Sequence, residues 1–320
     1  MDLVKNTKKW ADDISCWGRD LGTKEVVIKK VQFLNGLGAS CSHIKSGERL
    51  RIKVDFTVRN RVKDLHFGIA IFREDGVYCY GPNTAFEGYE IPELKNGQGY
   101  FLLDCHKVWL APGEYCISVA IWDKREILAF NYHEGYYKFV VIGDKPATGE
   151  LLNIPVEGES GDDINPQIKK ECFEQASAIK DQQDVKTEIG DITEPSIGLL
   201  NNSGEKRDVF MTGESVTCFI NFSPSLSVPK GLLLWLGIYR EDGIYCQGIM
   251  RPLERRTSCE ITFPELPLLP GGYRMALGIW NSQAEKFLML QHAAQSFRMV
   301  SLYQDHGTIY LRHSWDWRLP

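Results

Sequence analysis

The sequence predicts an all-β protein: two tandem antiparallel β-sandwiches joined by an acidic linker that holds a short helix. Three observations carry this expectation. The stretch Ile69 to Gly81, I-A-I-F-R-E-D-G-V-Y-C-Y-G, returns 167 positions later at Leu236 to Gly248 as L-G-I-Y-R-E-D-G-I-Y-C-Q-G. In each copy apolar runs flank an Asp-Gly pair, which suits a tight hairpin because glycine takes positive φ freely and aspartate tolerates it. Leu50, Ile52, Val54, Phe56 and Val58 alternate with Arg49, Arg51, Lys53, Asp55, Thr57 and Arg59, the period of a strand with one buried face. Finally, such short strands recur at regular spacing with no long helix between them.

The elements follow in order. Residues 1–16 are a polar lead-in with little pattern, and the first module spans 17–157. It opens with the strand E-V-V-I-K-K-V-Q-F-L and a turn at Asn35-Gly36, followed by the alternating strand and the hairpin. A loop holding Pro82-Asn83-Thr84, a strand at Tyr100 to Leu103 and the turn Ala111-Pro112-Gly113 come next. Tyr115, Ile117, Val119 and Ile121 alternate in a further strand, Tyr136 to Val141 form another, and Gly149 to Val156 is expected to close the module. The linker, 158–188, lies in a stretch (Glu157 to Glu188) with nine acidic and four basic residues. Asn165-Pro166 suits a helix start, because proline tolerates the first helical position. Ile168, Cys172, Ala176 and Ile179 then share one helical face, although a disordered acidic tether remains the alternative. The second module, 189–320, repeats the first: Val216, Cys218, Ile220 and Phe222 match Leu50 to Phe56, and Tyr273 to Trp280 match Tyr115 to Trp122. Its end, G-T-I-Y-L-R-H-S-W from Gly307 to Trp315, echoes Gly149 onward.

The totals exclude several classes. A chain of 320 residues allows about two domains. A net charge of −5 and short, scattered basic pairs argue against a nucleic-acid partner. The longest apolar run, Leu232 to Ile238, is too short to span a bilayer, so no membrane insertion is expected. The N-terminus lacks the apolar core of a signal peptide. Nine cysteines without a C-x-x-C pair, with Cys79, Cys116, Cys218 and Cys246 inside strand patterns, read as reduced small hydrophobes. A cytoplasmic location is the expectation.

Strand parity places the candidate site. If Tyr115, Ile117, Val119 and Ile121 face the core, Ser118, Ala120 and Trp122 face outward; likewise Gly68, Ala70 and Phe72 face outward if Ile69 and Ile71 are core. Small residues on two strands beside an outward aromatic make a shallow groove with a flat apolar wall, against which the C–H faces of sugars stack. By the same counting Tyr78 and Tyr80 point outward, and Asn83, Asp123 and Arg73 are candidate hydrogen-bonding partners. The second module offers Trp280, Tyr239 and Tyr245. The competing reading is that these small and aromatic residues only accommodate a strand, a loop or a second subunit.

Catalytic signals are weak: the chain has no G-x-x-x-x-G-K-[ST] and no H-E-x-x-H, so no cofactor, metal or catalytic residue is assigned. The seven histidines show no ligand spacing, and His306 and His313 read as surface residues. A carboxylate pair such as Glu87 with Asp123 leaves a remote glycan-active enzyme open.

A family resemblance sharpens this. W-G-R-D-L-G-T-K-E-V-V-I-K-K-V (Trp17 to Val31), Ser46-Gly47-Glu48, Phe67-Gly68-Ile69, D-G-V-Y-C-Y-G-x-N-T (Asp75 to Thr84) and L-A-P-G-E-Y (Leu110 to Tyr115) resemble the Wzt-type C-terminal domain. That domain is the glycan-binding part of the ATP-binding subunits of O-antigen ABC transporters. The resemblance covers most of 17–157 and, more loosely, 189–317. It implies immunoglobulin-like sandwiches, a polysaccharide ligand on an outer face, non-enzymatic function, and ABC-transporter or glycosyltransferase components as partners. It also implies a homodimer formed through the terminal strand. The family's motif falls on Tyr80, Asn83 and Thr84; the second module departs there, with Gln247 for the tyrosine and Met250-Arg251 for Asn-Thr. The ATPase half is missing, so the expected role is recognition in surface-polysaccharide synthesis or export. The alternative is a protein-interaction scaffold in glycan assembly.

Overall fold

The computed structural model describes residues 18–143, 149–157, 164–178, 184–186, 195–221, 231–253, 258–302 and 304–320. The lead-in 1–16, Ile179 of the expected helix face and Phe222 fall outside them. In chain order the strands are β1 (Arg19–Leu21), β2 (Val26–Leu34), β3 (His43–Lys45), β4 (Leu50–Val58), β5 (Leu65–Arg73), β6 (Tyr78–Gly81), β7 (Gly97–Cys105), β8 (Gly113–Asp123) and β9 (Ala129–Ile142). Helix α1 (Pro166–Ala178) follows, then β10 (Val185–Lys186), β11 (Ser196–Leu200), β12 (Val209–Met211), β13 (Val216–Asn221) and β14 (Leu232–Arg240). The last are β15 (Tyr245–Pro252), β16 (Ser258–Phe263), β17 (Gly271–Asn281), β18 (Lys286–Val300), β19 (His306–Gly307) and β20 (His313–Arg318). Two compact units result, residues 1–144 with 302–320, and residues 145–301.

In the first unit the sheet β1-β9-β8-β5-β6-β19, joined by β3, faces the sheet β2-β4-β7-β20. The period-two residues of β4, Leu50 to Val58, are all buried. Phe67 of β5 stacks on Phe101 of β7 at 4.4 Å, closing the core between the sheets. In the second unit the sheet β10-β18-β17-β14-β15, joined by β12, is partnered by β11-β13-β16. The repeats share fine detail. Tyr115 donates to the Ala111 carbonyl and Tyr273 to the Leu269 carbonyl, each at 2.7 Å, a corner that pins the strand to the turn before it.

The structure corrects the module boundaries. The segment Gly307 to Trp315 belongs to the first unit: His306 pairs with Gly81, the Cys79 carbonyl accepts from Thr308 and Ile309, and β20 lies antiparallel to β7. The segment after the first repeat belongs to the second unit: Leu151 and Leu152 donate to the Cys246 carbonyl, and Glu157 pairs with Thr262. Cys79 and Cys246 are equivalent positions, so each unit is completed by the tail that follows the other repeat. The two tails present matching apolar anchors, Leu152 and Ile154 in one and Ile309 and Leu311 in the other, all buried.

The linker also belongs to the second unit. Asn165 caps α1 by accepting the Gln167 N–H at 2.9 Å, and Pro166 takes the first helical position. Ile168, Cys172, Phe173 and Ala176 of α1 then pack on Trp235, Tyr239, Tyr245, Ala276, Trp280 and Phe287.

One cysteine departs from expectation. Cys41, Cys79, Cys105, Cys172, Cys218, Cys246 and Cys259 are free thiols, but Cys116 is disulfide-bonded. Cys116 lies opposite Phe72 on β8 and is itself buried.

Candidate functional site

The outward face of β9-β8-β5-β6 brings together the small residues and aromatics that strand parity pointed to. Gly68 lies opposite Ala120, which lies opposite Tyr132; Ala70 lies opposite Ser118, and His66 opposite Trp122. The four small residues form the floor. Trp122 and Tyr132 pack ring against ring at 5.8 Å along one side. Phe72 and Tyr78 stack at 4.8 Å along the other. All four aromatics are half-buried. Burial pushes the Tyr132 hydroxyl up to about 12 and the Tyr78 hydroxyl higher still, so both remain neutral donors. The Tyr78 ring lies across Gly81, where a Cβ would meet its hydroxyl.

Of the expected first-module residues, Trp122, Tyr78 and Asn83 are at this face. Tyr80 is not. A bulge at Cys79 shifts the register, so that Phe72 pairs with Tyr78 but Ile71 pairs with Tyr80. Two residues then oppose one, parity reverses, and Tyr80 turns into the core, fully buried. Thr84 is also buried, accepting the Phe67 N–H at 3.0 Å. Arg73 closes on Asp75 through two hydrogen bonds of 2.9 and 2.7 Å. Asp123 accepts the N–H groups of Arg125, Ile127 and Leu128 and so builds the β8–β9 turn. Sequence reasoning missed Tyr132, His66 and Glu126; Tyr132 was within reach of the same counting, one strand further over.

Tyr80 instead anchors the tail. Its hydroxyl donates to Asp305 at 2.8 Å and lies 2.9 Å from His313 Nδ1. Nε2 of His313 reaches Glu87 at 2.7 Å, and Trp315 Nε1 donates to the same carboxylate oxygen at 2.6 Å. His313 is therefore a buried residue, contrary to the surface position expected for it. Glu87 and Asp123, the carboxylate pair considered for catalysis, sit in separate networks, one holding the tail and one building a turn. Gln247, which replaces Tyr80 in the second repeat, does the equivalent work: its side chain accepts the Ile154 N–H at 3.1 Å and donates to the Ile154 carbonyl at 2.9 Å.

The tail network titrates. Burial raises Asp305 above the ordinary carboxylate range despite the Tyr80 hydrogen bond, and its second oxygen is enclosed without a partner. For His313 burial lowers the imidazole, but Glu87 and the Leu311 carbonyl outweigh it and raise it. A raised folded-state pKa contributes stability that is present at low pH and lost as pH climbs through it. Asp305 therefore weakens tail docking above roughly pH 4, and His313 above roughly pH 6.5. Asp305→Asn is expected to stabilise the first unit by about 1 kcal/mol at pH 8, with little effect at pH 4, read by urea unfolding at both pH values. A loss of stability at pH 8 would contradict the assignment.

The second-module candidates are covered. Trp280 is fully buried and Tyr239 and Tyr245 nearly so, all under α1, where Phe173 stacks on Tyr245 at 4.4 Å. The groove floor is also filled from below, because Trp235 stands where the first repeat has Gly68 and lies across Gly237. Among the described residues, no helix is long and apolar enough to cross a membrane, and no group of three or more His, Cys, Asp or Glu side chains could hold a metal ion.

The chain matches no curated protein. Among solved structures it is similar to a crystal structure of the C-terminal domain of Wzt, with 17% identity and a TM-score of 0.40, over 44% of this chain and 87% of that one. It is also similar to dimeric latent PorU from Porphyromonas gingivalis, with 10% identity and a TM-score of 0.24; the match takes in 91% of this chain but only 21% of PorU's length. The region that carries the open aromatic face, residues 19–153, matches the sequence model of the Wzt C-terminal domain family.

Proposed function

We propose that this protein is a non-enzymatic polysaccharide-binding protein of bacterial surface-glycan assembly or export, and that the outward face of its first unit is the binding site. The observation that carries this reading is the contrast between equivalent faces. In the first unit Trp122, Tyr132, Phe72 and Tyr78 rim a floor of Gly68, Ala70, Ser118 and Ala120. In the second, the same positions lie beneath α1. Open apolar walls with a few placed polar groups are the general form of a ligand site, and pyranose rings present flat C–H faces that match such walls. The match of residues 19–153 to a transporter domain supports a glycan ligand and an ABC-transporter component as partner. The covered second unit is then a scaffold, which is how the alternative reading finds its place in this chain. The cytoplasmic side is the setting this family implies.

The test is affinity electrophoresis of the full chain through gels containing surface polysaccharide from the producing cell. Retardation is expected, and Trp122→Ala should weaken it at least roughly 30-fold, as for a central aromatic contact, with circular dichroism unchanged. Full retardation of that variant would remove the site from this face. Release of free sugar during the same incubation would contradict the non-enzymatic reading.

A further inference from the structure

The polar corner of the same face carries a statement about ligand class, and it rests on the reading above. The β8–β9 turn places Glu126 in the left-handed region, φ 57°, where residues with a Cβ are strained. Glycine or asparagine would sit there more easily, but neither would bring a carboxylate to this point. The turn is held by the Asp123 carboxylate, so the position of Glu126 is fixed by backbone rather than by a floppy tip. Glu126 Oε1 lies 3.5 Å from Asn83 Nδ2 and 3.6 Å from His66 Nε2, and the Glu126 side chain remains 36% exposed. Asn83 is itself oriented: its oxygen accepts the Phe86 N–H at 2.8 Å, which leaves its amide nitrogen toward Glu126. Asn83 also bridges to Gly68, so the corner adjoins the groove floor.

The nearby charges do not neutralise this carboxylate. His66 is buried, and that burial pulls its imidazole down to about 4, so it is uncharged near neutral pH. Arg73 is engaged with Asp75, and Lys124 reaches Glu90 at 3.3 Å. The corner therefore offers one carboxylate, with no Lys or Arg ion-paired to it among the described residues, and an amide donor beside an aromatic wall.

We propose that Glu126 and Asn83 form a hydroxyl-reading corner that makes the first unit select uncharged glycans. Glu126 accepts hydroxyl protons from a sugar whose ring lies on Trp122, and like-charge repulsion rejects uronic acids and phosphate-bearing units. Hydrogen bonds to a charged acceptor are the strong kind, so their loss weakens binding about 10- to 100-fold.

The test uses surface polysaccharide of the producing cell, separated on an anion exchanger into neutral and anionic fractions of matched size. The full chain, Glu126→Gln and Trp122→Ala are titrated with each by calorimetry. The wild type should bind the neutral fraction only. Glu126→Gln should lose about tenfold or more on that fraction and gain measurable binding to the anionic one. Preference of the wild type for the anionic fraction would overturn the proposal. So would a Glu126→Gln variant with unchanged neutral binding and unchanged rejection of anions, even if Trp122→Ala abolishes binding; that result would leave the site itself standing. Failure of the wild type to bind either fraction would instead overturn the polysaccharide reading and the corner with it.

Discussion

Removal of residues 302–320 should unfold the first unit while leaving the second folded. The segment contributes β19 and β20, one to each sheet of that unit. It buries Ile309, Leu311 and Trp315, and its loss strips the core edge at Cys79, Tyr80 and Phe101. Full burial of three such side chains stabilises by roughly 5–9 kcal/mol, a figure close to the whole stability of a typical domain. The loss also leaves Tyr80 and Glu87 enclosed without their tail partners, an added cost. In calorimetry the full chain should show transitions from both units, and the truncated chain only that of the second. A synthetic peptide spanning 302–320 should restore the lost transition when added in excess. Two undisturbed transitions in the truncated chain would contradict the strand assignment. One practical consequence is that residues 17–157 alone are not the folding unit, since their own tail completes the other sandwich.

Gly68→Trp should abolish polysaccharide binding without unfolding the protein. The second repeat already performs this substitution: Trp235 holds the equivalent position and fills the floor between Gly237 and Phe287, 5.5 Å from the latter ring. In the first unit a Cβ at Gly68 would meet only the Asn83 Cβ at 3.6 Å, an ordinary contact, and its φ is not in the left-handed region. The indole would then occupy the space over Ala70 and Ala120 where a ring must lie. Binding should fall by more than about 100-fold, since steric exclusion removes every contact at once. Thermal stability should move by no more than about 1–2 kcal/mol. Retained affinity would show that the ligand does not enter between the two aromatic pairs. The variant complements Trp122→Ala, because it adds bulk rather than removing a stacking partner.

Much of the fold was legible in local pattern. The alternation of Leu50 to Val58, the Asp-Gly hairpins and the proline-started helix at Pro166 all arise from short-range chemistry, and each formed where expected. The outward faces of β5 and β8 were legible for the same reason, as the side-chain period is two along an uninterrupted strand. Tyr80 was misplaced because a bulge breaks that period, and nothing in Y-C-Y-G announces one. The tails were assigned to the wrong units because Gly149 onward and Gly307 onward carry interchangeable apolar patterns. Long-range pairing at Cys79 and Cys246 decides which tail goes where. The covered face of the second unit had a visible signal, Trp235 in place of Gly68, together with the apolar stripe of α1 that needs a partner. Cys116 is buried, as read, but it is disulfide-bonded rather than reduced.

The central claim is that one open aromatic face per chain, on the first unit, receives the glycan. A crystal structure of the full chain with an oligosaccharide of the producing cell's surface polysaccharide tests it most directly. The account predicts a sugar ring against Trp122 and Tyr132, with hydroxyls at Glu126 and Asn83, and no sugar on α1 or the strands beneath it. Sugar bound to the second unit, or to the first unit away from this face, would contradict it.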